Sequence, residues 1–309
     1  MYRYKRLLVG ISFCAHDQST VRYAAMISRL AKSEKVFFLH VARSPDAVPR
    51  ALRAEYAESS GPASEFVRQR MEAIVADTFE GCPDTELQFE VAHGSRILGI
   101  LGFIKRERID LVVVGKRQGP GDDVSFPVKL TRKAACSVLA VPGGTHPELG
   151  EVLVPVDFSE LSVDALEVGI AFASASGRTE IKCLHAYGVP SGYYSTGKTY
   201  EQFAEVMREN AQEQFREFIS RIDCKGLSVA PIFKLEQHKI AAAIREAIDE
   251  HQVKLLIVAT RWRETLAGLL LGHITRSLIK TSHIPILIVK EKETGAEAVQ
   301  DRPDRETTL

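Results

Sequence analysis

One unit is written twice along this chain, and that repetition decides most of what the chain can fold into. Leu7-Leu-Val-Gly-Ile-Ser12 recurs as Val152-Leu-Val-Pro-Val-Asp157 at an offset of 145, and Leu39-His40-Val41 recurs as Leu184-His185-Ala186 at the same offset. Val112-Val-Val-Gly115 returns as Leu256-Ile-Val-Ala259 at 144, and Cys136-Ser-Val-Leu-Ala-Val141 as Ile284-Pro-Ile-Leu-Ile-Val289 at 148. Four matched runs in one order mark a tandem duplication. Each run is short, apolar and uninterrupted, as in strands covered on both faces. Stretches of helical spacing separate the runs, for example Val21, Ala24, Ala25, Ile27 and Leu30 within Ser19–Ala31. Strands alternating with crossover helices imply an α/β chain of two doubly wound, Rossmann-like domains with right-handed connections.

With 309 residues and 45% hydrophobic content, the chain can bury two cores. The domains are expected at 1–143 and 150–290, joined by the linker Gly143-Gly-Thr-His-Pro-Glu-Leu-Gly150. The charged stretch 291–309 reads as a disordered tail. Lys+Arg 40 balances Asp+Glu 40, so global charge offers nothing to nucleic acid or an anionic membrane. Five scattered cysteines without a CxxC pair fit a reducing, cytoplasmic setting. Met1-Tyr-Arg-Tyr-Lys-Arg before Leu7–Ala15 has the outline of a leader, but its repeat in mid-chain reads as a strand. No apolar run approaches the ~20 residues that span a bilayer.

In the first half, the segment 42–64, with its three prolines, is expected as a loop with room for a short helical piece, and Glu65–Phe79 as an amphipathic helix. Ser95 is a candidate cap for the helix over 96–108. In the second half the long helix is expected over 200–222. Its stripe of Phe203, Val206, Met207, Phe215, Phe218, Ile219 and Ile222 reads as core.

Val154-Pro155-Val156-Asp157-Phe158-Ser159-Glu160, the Leu-His pair closing the second strand of both halves, the loop Ala259–Thr275 and the closing Pro285-Ile-Leu-Ile-Val289 carry a resemblance. Each half resembles the universal stress protein domain, over about residues 3–142 and 150–290. The resemblance implies a five-stranded parallel sheet of order 3-2-1-4-5. It also implies that two domains pair through their last strands, within one chain or in a homodimer. Members that bind ATP carry Gly-x2-Gly-x9-Gly-(Ser/Thr) after the fourth strand. Small residues there let backbone approach phosphate, and a helix amino end offers free N–H groups.

On that pattern Ala259 takes the first glycine position and Trp262 the second, Gly272 the third and His273 the Ser/Thr position. Ile274 continues the helix start, and Thr275 matches a hydroxyl position that the family also uses. Asp157 matches the aspartate facing ribose, Pro155 its neighbour, and Ala186 the residue whose backbone meets adenine. In the first half Gly115 survives, Gln118 replaces the second glycine, Val124 or Val128 falls at the third, and Ser12 replaces the aspartate. The first-half loop is about four residues shorter, and Pro127 removes a donor N–H. The resemblance therefore implies at most one adenine-nucleotide site, for ATP, in the second half.

Each sharp reading has a plain rival. Trp262 either stacks on a ligand or fills the phosphate groove, burying on the order of 200 Å²; the groove-filling reading is preferred. His273 either meets a phosphate or is a solvent-facing structural histidine, and the second is preferred. Arg261 and Arg263 either neutralise phosphate or are solvated surface. Cys183 and His185 share a strand face, but without further ligands at useful spacing no metal is expected. No nucleophile elbow or Walker motif occurs, so the chain is read as a non-enzymatic stress-response binding module. The alternatives are a purely structural pseudo-dimer acting through protein partners and a weak nucleotide-hydrolysing enzyme.

Overall fold

The computed structural model describes residues 4–42, 53–80, 82, 84–116, 125–148, 150–236, 239–260 and 271–290, with 53–63 as backbone alone. The first half runs β1 (Arg6–Ile11), α1 (Asp17–Ala31), β2 (Lys35–Ala42), α2 (Arg53–Phe79), β3 (Glu86–His93), α3 (Arg96–Glu107), β4 (Leu111–Lys116), α4 (Ser125–Lys133) and β5 (Ser137–Pro142). The second runs β6 (Glu151–Pro155), α5 (Glu160–Ala175), β7 (Glu180–Tyr187), α6 (Tyr200–Ser220), β8 (Ser228–Leu235), α7 (Ile240–Glu250), β9 (Val253–Thr260), α8 (His273–Thr281) and β10 (Ile286–Lys290). A 3-10 turn at Tyr193–Thr196 precedes α6.

All ten strands form one sheet, in the order β3-β2-β1-β4-β5-β10-β9-β6-β7-β8. Each half is parallel and carries the 3-2-1-4-5 order that the sequence resemblance implies. The halves meet where β5 and β10 run antiparallel, with Leu139 opposite Leu287. At the offset of 148 these two leucines are the same position of the repeat. A position facing its own duplicate is the signature of a two-fold axis, here inside a single chain.

The strands bury both faces by alternation. Leu7, Val9 and Ile11 join the core beneath α1, α2, α5 and α6, while Leu8 joins the core beneath α3, α4, α7 and α8. Both cores run through the seam between the halves. Cys136 and Cys183 behave as small apolar residues; burial pushes both thiols up, that of Cys136 to about 12.

Two local expectations change. The helix expected from Glu65 begins at Arg53 and runs 27 residues to Phe79, straight through Gly61-Pro62. A proline inside a helix forfeits one hydrogen bond at about 3 kcal/mol. The helix formers on both sides, such as Arg53-Ala-Glu-Tyr-Ala-Glu58, outweigh that break signal. Ser95 does stand at the amino end of α3 with extended backbone, but its hydroxyl makes no capping bond. Residues 291–309, expected as a tail, lie outside the described residues. Among the described residues no helix is long and apolar enough to cross a membrane.

Candidate functional site

In open parallel sheets the crevice beyond the strand carboxyl ends is where ligands are held. In the second half that crevice is a cavity of about 400 Å³ between the ends of β6, β7 and β9 and the amino ends of α5 and α8. Its polar rim is Asp157, Ser159, Ser162, Thr260 and the start of α8 at Gly272–Thr275. Its inner wall is apolar, with Leu184, Ile240, Ile244, Val258 and Leu278. An apolar slot with a few convergent polar groups is the usual form of a small-molecule site.

Asp157 follows β6. Its Oδ1 accepts the Ser159 amide at 3.1 Å, the Ser159 hydroxyl at 2.5 Å and the Ser162 hydroxyl at 2.7 Å. Partial burial pushes this carboxyl up, but the two serines more than offset it and hold the group below the usual carboxylate range. Asp157 itself stands exposed on the rim of the cleft. The first backbone bond of α8 runs from the Arg276 amide to the Gly272 carbonyl at 3.0 Å. The amides of His273, Ile274 and Thr275 therefore precede the helical ladder and face the cleft at the positive end of the helix dipole.

The phenylalanine that follows each first strand behaves alike in both halves. Phe13 and Phe158 hold left-handed backbone, with φ of 55° and 63°. Such a conformation costs a non-glycine residue roughly 1–2 kcal/mol. Each ring is turned back onto the histidine at the second strand: Phe13 to His40 at 4.7 Å and Phe158 to His185 at 4.1 Å between centroids. Each histidine Nδ1 meets a backbone carbonyl at 3.0 Å, of Ile11 or Val156. Burial pushes His185 down, against the Val156 carbonyl and the Asp157 charge, so the ring is a neutral fixture at neutral pH.

The first half uses the same frame differently. Ser12 stands where the second half has Asp157, and Asp17 where it has Ser162. The carboxylate and hydroxyl have exchanged places. Asp17 is 4% exposed and accepts the amides of Ser12 at 3.1 Å and Cys14 at 3.1 Å, so it is turned inward. Gly115 is packed by α1, where an added Cβ would meet Thr20 Oγ1 at 3.0 Å and the His16 Cβ at 3.2 Å. A Cβ on Gly143 would lie inside the His16 ring. His16 thus fills space against both glycines.

Of the residues that the sequence singles out, Pro155, Asp157, Ala186, Ala259, Gly272, His273, Ile274 and Thr275 line the one cavity. Ala259 sits on β9 rather than in a loop. Gly272 and His273 are exposed, and Thr275 is buried. Arg261, Trp262 and Arg263 lie outside the described residues, as do Gln118 and Val124. Sequence reading missed Ser159, Ser162, Thr260 and the apolar wall. The repeat gives no signal for Ser159 and Ser162, whose counterparts at the 145 offset are Cys14 and Asp17; the wall carries none either, because its residues read as ordinary core. Among the described residues no group of three or more His, Cys, Asp or Glu gathers as a metal site would require.

The model of the universal stress protein family matches this chain twice, over residues 3–142 and 149–290. Two universal stress proteins of Methanocaldococcus jannaschii match about one half of it each. One is 25% identical over 158 residues, 47% of this chain and 96% of its own; the other is 23% identical over 143 residues, 46% and 82%. Among solved structures, a universal stress protein from Archaeoglobus fulgidus covers 93% of this chain and 98% of its own, with a TM-score of 0.62 at 15% identity. A functionally unknown protein from Pseudomonas aeruginosa covers 93% and 92%, with a TM-score of 0.59 at 16% identity.

Proposed function

The chain is a tandem member of the universal stress protein family, and on that premise we propose that it is a non-catalytic stress-response module binding one adenine nucleotide, ATP, in its second half. The observation carrying this reading is the cleft itself. Asp157, the amino end of α8 and an apolar slot converge on one cavity of about 400 Å³. The carboxylate suits ribose hydroxyls, the helix start suits phosphate and the apolar wall suits the purine face. Pro155, Ala186 and Ala259 shape the slot, while His273, Ile274 and Thr275 present their amides. Arg261 and Trp262 follow Thr260, a lining residue, in the chain. Catalysis has no support among the described residues: the one carboxylate on the rim is tied to two serines, and His185 is tied to a carbonyl.

Trp262 is the only tryptophan. Millimolar ATP should change its emission, and Asp157→Ala should weaken that response roughly tenfold, the loss of a charge-assisted hydrogen bond. Unchanged emission together with no heat of binding would remove the nucleotide reading. ATP turnover abolished in Asp157→Ala would put the enzyme reading in its place.

A further inference from the structure

Lys116, the last residue of β4, is 3% exposed. Its Nζ crosses the seam and donates to the Ser282 carbonyl in the other half at 2.5 Å. Burial alone brings the ammonium down to about 8. A buried ammonium held, among the described residues, by one neutral acceptor is a poor stabilising device, and an apolar side chain of similar length would ordinarily serve the core better. Its location explains what it gains.

Ser282 terminates α8. The Ser282 amide donates to the Leu278 carbonyl at 2.8 Å, and its hydroxyl donates to the Ile284 carbonyl at 2.9 Å, which leads the chain into β10. Lys116 therefore sits at the carboxyl end of α8, the negative end of the helix dipole, where a cation is favoured. The opposite end of the same helix is the cleft rim, Gly272–Thr275. With nine residues, α8 is about 14 Å long, a single stiff piece between seam and cleft. It also packs against α4 of the first half. In the duplicated pattern Lys116 corresponds to Thr260, which lines the second-half cavity. The first half has given that position to a side chain that reaches into its neighbour.

We propose that Lys116 is a positioning residue for the second-half cleft: it anchors the carboxyl end of α8 from the other half and so sets where the helix's amino-terminal amides stand. The nucleotide enters this inference only through the proposed function, and the test keeps the two apart. The full-length protein is compared with Lys116→Met, Lys116→Gln and Lys116→Arg by amide exchange and amide chemical shifts without ligand, then by ATP titration.

In Lys116→Met, exchange within α8 should quicken roughly tenfold and the His273–Thr275 amides should shift, while the urea midpoint of unfolding is not lowered. Lys116→Arg should restore most of the wild-type pattern. A general packing defect would lower the midpoint instead. ATP affinity should fall roughly tenfold in Lys116→Met. Shifts confined to residues 282–286, with α8 exchange and ATP affinity unchanged, would overturn the proposal. If ATP binds neither protein yet the α8 amides respond, Lys116 keeps its role and the nucleotide reading fails. Should Lys116→Met not fold, Lys116→Gln supplies the same comparison with a neutral donor retained.

Discussion

Gly115 and Gly272 fall at the first and third glycine positions of the phosphate-loop pattern that the resemblance implies, one in each half, and their surroundings are opposite. Around Gly115, α1 closes in until a methyl group would touch Thr20 and His16. Around Gly272, a Cβ would meet nothing within 4 Å among the described residues, and its φ of −54° suits any residue. The first glycine is explained by the protein's own packing. The second is not explained by any contact among the described residues. The acidic residues teach the same lesson. Asp17 is buried with both oxygens accepting backbone amides, whereas Asp157 stands exposed with the Ser159 and Ser162 bonds gathered on Oδ1.

The sharpest way to break this comparison is to put bulk where His16 lies. Gly143→Val should lower unfolding free energy by about 3 kcal/mol, the upper range for overpacking. Adding His16→Ala should recover most of the loss in urea denaturation. No recovery would mean that His16 is not the filler. Next is the exchanged pair. Asp17→Ser should cost about 2 kcal/mol by leaving the Ser12 and Cys14 amides without their acceptor. Ser12→Asp placed on top should regain part of it, since it rebuilds the arrangement of the second half. A double variant as weak as the single one would show that the two frames are not interchangeable.

The smallest effect concerns Lys290, 3% exposed at the end of β10 and held at about 8 chiefly by burial. The folded state releases this proton near pH 8, while the unfolded chain keeps it until about 10.4. Lys290 should therefore contribute a rise in wild-type stability between those values, by at most about 1.4 kcal/mol per pH unit. Lys290→Met lacks that rise, so any advantage it shows at pH 7 should shrink towards pH 10. Parallel stability curves for the two proteins across that window would contradict the burial of the charge.

What was legible in the sequence was whatever recurs. Leu7–Ile11 and Val152–Val156 announce strands because apolar runs of that length need cover on two faces, and the repeated order announces two like units; the strand order comes from the family resemblance alone. The cleft was legible where the loop pattern names positions, hence Asp157, Ala259 and Gly272. Hydrogen-bond direction was not. Asp17 and Asp157 look alike as letters, and only folding shows one turned inward and one outward. The left-handed Phe158 was equally hidden, since a phenylalanine gives no hint of positive φ. The helix over Arg53–Phe79 was misjudged because local breakers are read before flanking propensity is summed.

The antiparallel junction of β5 and β10 has one more implication. A homodimer built on that junction would carry a single residue at each position, used twice. Lys116 and Thr260 occupy one such position, and a lysine there in both copies would reach across the seam twice while taking the place of the threonine at the cavity wall. Joining the copies through residues 143–150 lets the position hold two different residues at fixed stoichiometry. Division of labour between strut and receptor is open to this chain for that reason, and closed to a symmetric pair.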